Sequence, residues 1–159
     1  PPPPRREAPM TEVRFYHLTR TPLEAALPQL LLKTLERGKR ALVRLADARR
    51  CEALADALWR RDERGFLPHG TAKDGFPAEQ PVWLTPDAEN ANGAGYLFLC
   101  DGVPAEGLEG YELCCLLFDG GDGEAVETAR GQWRTLAAEG HELSYWQQDE
   151  RGAWSKRQG

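Results

Sequence analysis

The residues best suited to recognition chemistry lie in the last third of the chain. Arg130 and Trp133 occupy a segment with helical periodicity, Val126 and Arg134 lie one turn either side of Arg130, and two bulky aromatic residues follow at 145–146. A guanidinium group can hold a carboxylate in a forked pair, while apolar surface accepts a ring. The spacing predicts an apolar floor with a cationic rim, suited to an acidic peptide that ends in an aromatic residue. The alternative interpretation of Arg130 is a solvated surface arginine.

Motifs for catalysis or nucleotide binding are missing from the sequence. The first strand-to-helix turn, residues 17–22, contains no glycine, so its backbone is not expected to approach a pyrophosphate closely. Neither serine, Ser144 or Ser155, lies in a G-x-S-x-G elbow, and the histidines show no metal-ligand spacing. We therefore expect no catalytic residue, no metal and no cofactor. A nucleotide- or nucleic-acid-processing enzyme on a Rossmann-like scaffold is the alternative, and a phosphate-binding turn would distinguish it.

Composition and charge indicate an ordinary globular protein. The chain has 159 residues, of which 41% are hydrophobic and 28% are charged, and its formal net charge is -5. Strong direct binding to DNA is disfavoured, because phosphate neutralisation usually requires a basic protein. No apolar run approaches the roughly 20 residues that span a bilayer, and a cytoplasmic location is expected. The four cysteines form no C-x-x-C pair, which predicts free buried thiols.

Hydrophobic periodicity predicts strands that alternate with amphipathic helices. This order predicts a Rossmann-like three-layer α/β fold, with a mixed, mostly parallel sheet flanked by helices and no phosphate-binding glycine loop. Thr21 and Glu24 are expected to form a capping box, Asp47 and Asp122 to cap the next helices, and residues 120–121 to form a turn. The predicted strands cover 13–18, 40–45, 82–85, 96–100, 111–118 and 141–147, and the helices cover 21–38, 47–62 and 122–139.

A second group of aromatic residues lies around the end of the second predicted helix. Trp59 ends this helix, and Phe66, Pro68 and His69 follow in the next loop. Large aromatic residues near a helix end can form a satellite core or an exposed anchor for a partner. The residues alone leave both alternatives open.

The ordered set of these segments resembles the chi subunit of bacterial DNA polymerase III holoenzyme. The resemblance covers nearly all of residues 11 to 154, and the ordered set is more specific than any single segment. The segments that carry it are VRFY at 13–16, GKRALV at 38–43, ALW at 57–59, FLPH at 66–69, PVWL at 81–84, and the stretch from FDGGD at 118–122 to YWQQD at 145–149.

The resemblance implies an accessory subunit that is not an enzyme by itself. It implies membership of a holoenzyme with DNA-directed DNA polymerase (nucleotidyltransferase) activity, association with the clamp loader, and only indirect contact with DNA. The family binds the C-terminal tail of single-stranded DNA-binding protein, which is acidic and ends in Pro-Phe. Arg130 and Trp133 match the family's binding positions, whereas Val126 stands where the family often has lysine. Arg134 is the candidate substitute for that basic contact.

The resemblance also implies a second partner and a division of the chain. Trp59, Phe66, Pro68 and His69 match the region that docks the psi subunit, and a repair helicase at the same surface is the alternative partner. No membrane contact is expected. We expect a single chi-like α/β domain at 10–150 and a C-terminal tail at 151–159. Residues 1–9 form a proline-rich leader, expected to be disordered or introduced by cloning.

Overall fold

The computed structural model describes residues 11–19, 21–61 and 67–158, and its centre is a seven-stranded open sheet. The strand order is β3-β2-β4-β5-β1-β6-β7, in which β1 to β6 run parallel and β7 runs antiparallel to β6. The prediction of a mixed, mostly parallel α/β sheet is therefore confirmed. The strands are β1 (Glu12–Leu18), β2 (Ala41–Arg44), β3 (Val82–Thr85), β4 (Tyr96–Leu99), β5 (Leu113–Asp119), β6 (Glu142–Gln148) and β7 (Trp154–Gln158).

Three α-helices flank this sheet: α1 (Leu23–Glu36), α2 (Ala48–Arg61) and α3 (Gly123–Ala138). Leu27 of α1 and Leu54 of α2 belong to one apolar core, whereas Leu136 of α3 belongs to a second core. Neighbouring residues of β1 belong to different cores, because strand side chains alternate between the two faces of the sheet. Phe15 lies in the core beside α3, and Tyr16 lies in the core beside α1 and α2. The central strands are consequently buried on both faces, as parallel strands usually are.

The start of α1 differs from the predicted capping box. The N-cap residue is Pro22, and no side chain caps the helix. The Thr21 hydroxyl instead accepts a hydrogen bond from Gln148 Nε2 at 2.9 Å, and the Thr21 amide donates to Gln148 Oε1 at 3.3 Å. The capping prediction was wrong because a partner on β6 binds the groups that local geometry would have directed to the helix.

The other two helices begin as the sequence predicts. Asp47 Oδ1 accepts a hydrogen bond from the Arg50 amide at 2.8 Å at the start of α2. Asp122 is the N-cap of α3, where its Oδ1 accepts from the amides of Glu124 at 3.0 Å and Ala125 at 3.3 Å. These aspartates satisfy amides that have no partner within the helix.

The expected C-terminal tail contains a strand that the periodicity does not reveal. Residues Trp154–Gln158 form β7 and pair with β6. Trp154 packs edge-on against Tyr16, with ring centroids 4.9 Å apart. The segment therefore closes one end of the α1/α2 core, although its sequence is polar apart from the tryptophan.

The cysteines bear on one further prediction. All four cysteines are free and buried, as expected, and burial raises the pKa of Cys51 to about 11 and that of Cys115 to about 12.

Over the described ranges, no group of three or more His, Cys, Asp or Glu residues could hold a metal ion. Within the same ranges, no helix is both long enough and apolar enough to cross a membrane.

Candidate peptide-binding site

A cavity of about 360 Å³ lies between α3 and the strands β1, β5 and β6. Its lining includes all four residues that the sequence predicts as one site, which are Val126, Arg130, Trp133 and Arg134. They lie close together because the helical period of 3.6 residues per turn places them along one side of α3. The remaining lining residues are Phe15, His17, Phe118, Ala129 and Tyr145.

Aromatic rings form the floor of this cavity. Trp133 is half-buried and meets Phe15 edge-on, with centroids 5.1 Å apart and an interplanar angle of 61°. The centroid of the Tyr145 ring lies 6.5 Å from that of Trp133, at an interplanar angle of 72°, and 6.3 Å from that of Phe118, at 51°. Edge-to-face contacts of this kind are favourable and fix the ring orientations. The floor is therefore a rigid apolar surface on which a further ring could pack.

The stripe of α3 that holds Trp133 in place is buried. Ala129 is 4% exposed and Leu136 is 1% exposed, and both contribute to the core on this side of the sheet. Trp133 lies at the edge of the stripe, so its ring is shared between the core and the cavity. Removing this side chain would disturb both the core packing and the wall of the cavity.

Two arginines on α3 form the rim. Arg130 Nη1 donates to Glu127 Oε1 at 2.8 Å, and the two side chains are 65% and 67% exposed. Arg134 is exposed one turn further along the helix. An exposed ion pair of this kind contributes little to stability, because water screens it. A carboxylate that enters the cavity could therefore replace Glu127 as the partner of Arg130 at small cost.

The sheet side of the cavity carries a polar pair that the sequence analysis missed. His17 Nδ1 is hydrogen-bonded to the Tyr145 hydroxyl, and the His17 ring lies against Phe118 with centroids 5.0 Å apart. From the sequence, Tyr145 was predicted only as one of two bulky aromatic residues, and no role was predicted for His17. Alternation along β1, which places a histidine on the same face as Phe15, was the available signal.

The surroundings of this pair determine its protonation. Burial lowers the pKa of the His17 imidazole, and the nearby Asp119 carboxylate opposes that shift in part. Burial raises the pKa of the Tyr145 hydroxyl, and the positive charge of Arg130 opposes that shift. At neutral pH the cavity thus presents a neutral imidazole, a neutral phenol and two guanidinium groups.

The second predicted surface is exposed at Trp59. This side chain is 52% exposed and lies against the His69 ring, with centroids 4.2 Å apart. His69 is buried, and its two ring nitrogens hydrogen-bond with the carbonyls of Leu67 and Ala55. Pro68 is exposed beside them, whereas Phe66 lies outside the described residues. Trp59 is therefore an exposed ring on a fixed support and not part of a satellite core.

A larger crevice of about 750 Å³ lies at the carboxyl ends of the central strands, where a Rossmann-like enzyme would bind a nucleotide. Carboxylates already occupy the nearby helix starts: Glu24 lies in the first turn of α1 and Asp122 caps α3. Asp101 accepts from the Ala46 amide at 3.2 Å and pairs with Arg50 at 3.0 Å. Arg50 offsets the charge of Asp101, but the carboxylates of Glu24 and Asp122 are unfavourable for a phosphate at the two helix starts that would otherwise attract one.

Comparison with known proteins establishes the family. The model of the family described as "DNA polymerase III chi subunit, HolC" matches residues 10–144. The chain belongs to this family. The match includes the whole of α3 and ends one residue before Tyr145, and it confirms the resemblance inferred from the ordered sequence segments.

One relative is similar over a shorter region. It is the "Probable DNA polymerase III subunit chi" of Rickettsia prowazekii (strain Madrid E), which is 28% identical over 90 residues. The alignment covers 57% of this chain and 54% of the relative. The chain thus spans about half the length of the curated relative it matches.

Proposed function

We propose that this protein is a non-catalytic accessory subunit of the DNA polymerase III holoenzyme. It links the polymerase to single-stranded DNA-binding protein by holding that protein's acidic C-terminal tail in the cavity beside α3. The observation that carries the proposal is one cavity that combines an aromatic floor with the Arg130 and Arg134 rim. The terminal phenyl ring of the tail packs on the floor, and its carboxylate reaches Arg130.

The expected energies favour a reversible contact. Burying a phenyl ring contributes about 1.5–3 kcal/mol, and a charge pair at an exposed rim contributes up to about 1 kcal/mol. Ordering a flexible tail opposes these gains. A weak contact suffices for an adaptor, because linkage to other components raises the effective concentration of the tail.

The other contact of the adaptor is the Trp59 surface. We propose that it docks the psi subunit and, through it, the clamp-loader assembly. Exposed aromatic rings are frequent anchors of protein interfaces, and Trp59 has a rigid support in the buried His69. The protein would then retain the polymerase at single-stranded template during DNA replication. Its contact with DNA is indirect, which agrees with a net charge of -5.

Peptide titration tests the tail site. An N-acetylated peptide ending in Asp-Ile-Pro-Phe should bind the wild-type protein, and Arg130→Ala should weaken binding by roughly fivefold, because the exposed charge pair is lost. Added salt should weaken the wild-type affinity, which calorimetry or fluorescence anisotropy can measure.

A matched variant controls for the change in net charge. Arg49 is exposed on α2, which packs on the other face of the sheet, so Arg49→Ala should bind the peptide as the wild type does. Equal affinities of the wild type and Arg130→Ala would remove Arg130 from the site.

A further inference from the structure

We propose that the Tyr145 hydroxyl, oriented by His17, is a specificity-determining contact that recognises the free terminal carboxylate of the bound peptide. The inference rests on the proposed function and adds a second wall to the site. Arg130 approaches the carboxylate from α3, and Tyr145 approaches it from the sheet. The two contacts together distinguish a chain end from an acidic side chain within a peptide.

The position of the hydroxyl is determined by the sheet. In the parallel pairing of β1 with β6, Tyr145 lies beside Phe15, and His17 lies two residues further along β1 on the same face. His17 is held between the Phe118 ring and the backbone at Gly120, where an added Cβ atom would overlap the imidazole. His17 in turn holds Tyr145 by a hydrogen bond. The hydroxyl therefore has a defined place in the cavity wall.

The chemistry of the pair suits a carboxylate ligand. A neutral imidazole carries one N–H and one acceptor nitrogen, and a phenol can both donate and accept. When His17 Nδ1 carries the proton, it donates to the Tyr145 oxygen and leaves the hydroxyl proton free to point into the cavity. Tyr145 then donates to the peptide carboxylate, so that binding selects one tautomer of His17.

A carboxylate beside the aromatic floor requires more than one donor. Removing a carboxylate partly from water costs free energy unless both of its oxygens are hydrogen-bonded. Arg130 and Arg134 both lie on α3, so their donors approach the cavity from one side only. Tyr145 provides a donor on the opposite wall, so the two carboxylate oxygens can each find a partner. An internal aspartate at the rim would meet only the arginines.

The test compares two peptides with two proteins. The N-acetylated peptide ending in Asp-Ile-Pro-Phe is titrated as the free acid and as the C-terminal amide, into wild type and into Tyr145→Phe. We expect the variant to bind the acid about tenfold more weakly, the size of one hydrogen bond to a charged group, with the amide affinity unchanged. Tyr96→Phe is the matched control, because it removes a hydroxyl that accepts from Arg37 far from the cavity.

The role of His17 is tested by a pH profile. The charged and titratable groups around it are Tyr145, Asp119, Arg130, Arg134 and the Glu127 that pairs with Arg130. Ordinary carboxyl, phenol and guanidinium groups do not titrate between about pH 5.5 and 7.5, whereas histidine does. A bound carboxylate favours the charged imidazole, so binding takes up a proton.

The affinity for the acid peptide should change with pH in one direction. Affinity for the acid peptide should rise at least threefold as the pH falls through this window, and His17→Gln should abolish the dependence. The amide should show little dependence with either protein. A His17→Gln variant that binds the acid peptide as tightly as the wild type does, with the same pH profile, would overturn the positioning role of His17.

The outcomes separate this inference from the proposed function. If the wild-type protein does not bind the acid peptide, both fail. If it binds and Arg130→Ala weakens binding, the proposed function stands. In that case, a Tyr145→Phe variant that weakens acid and amide equally, or weakens neither, overturns the recognition of the carboxylate by Tyr145. The amide titration also reports whether each variant retains a folded cavity.

Discussion

Gly120 shows how a single residue can shape the candidate site without entering it. The sequence predicts residues 120 and 121 as a turn between β5 and α3. In the structure, the Gly120 amide donates to the Leu18 carbonyl at 2.9 Å, and the missing side chain leaves room for the His17 ring. The requirement for glycine here is close approach and not a left-handed backbone, because its φ angle is not positive.

A substitution at this position should therefore act through His17. Gly120→Ala places a methyl group where the imidazole lies, and we expect a loss of about 1–3 kcal/mol in the free energy of unfolding, together with weaker binding of the acid peptide. Urea denaturation measures the first effect and titration the second. Gly123→Ala is the control, because an added Cβ there meets nothing within 4 Å. Wild-type stability and affinity in Gly120→Ala would contradict the role of close approach.

At the scale of elements, α3 supports the candidate peptide-binding cavity. Ala129 and Leu136 pack its inner side on the sheet, and Gln132 Nε2 donates to the Val103 carbonyl at 2.8 Å. Asp122 caps the first turn, which lies just before Val126. The Val126 amide also donates to the Asp122 carbonyl at 3.0 Å, so the cap and the rim belong to one continuous hydrogen-bonded helix.

Loss of the cap should weaken this helix. Asp122→Ala leaves the amides of Glu124 and Ala125 without their acceptor, and we expect the free energy of unfolding to fall by about 1 kcal/mol. Asp122→Asn should retain most of the stability, because asparagine is also a good N-cap. Urea denaturation of the three proteins measures both effects. Equal stability of Asp122→Ala and the wild type would show that the cap contributes nothing.

At the scale of the whole molecule, the two candidate surfaces lie on opposite sides of the sheet. The candidate peptide-binding cavity lies beside α3, whose buried residues belong to one core. Trp59 is on α2, whose buried residues belong to the other core. The rigid, mostly parallel sheet separates them, so an adaptor could engage both partners at once. This arrangement predicts that the two contacts are independent.

Paired variants test this independence. Trp59→Ala should abolish retention of psi, or of the clamp-loader component that replaces it, in a pull-down from cell extract, while changing the peptide affinity less than twofold. Arg130→Ala should weaken peptide binding and leave the retention of psi unchanged. Retention of a repair helicase in place of psi would favour the alternative partner at the Trp59 surface. Loss of both contacts in either variant would contradict two separate sites.

The sequence by itself determined the features that depend on local rules. The strand at 82–85 was predicted with the bounds that the structure has, because a short apolar run between prolines has few alternatives. Asp122 was predicted as a cap from its place before a helical stripe, and the same 3.6-residue period brought Val126, Arg130, Trp133 and Arg134 together. The ordered segments also sufficed to indicate the family.

Only the tertiary structure decided the features that depend on distant partners. His17 meets Tyr145, 128 residues away, through the register of β1 and β6, and Gln148 replaces the expected cap at Thr21. The exposure of Trp59 likewise depends on packing against His69. Local periodicity specifies which side of an element a residue occupies, but not which element lies opposite. That choice is made when the strands pair, since pairing alone brings separate parts of the chain into contact.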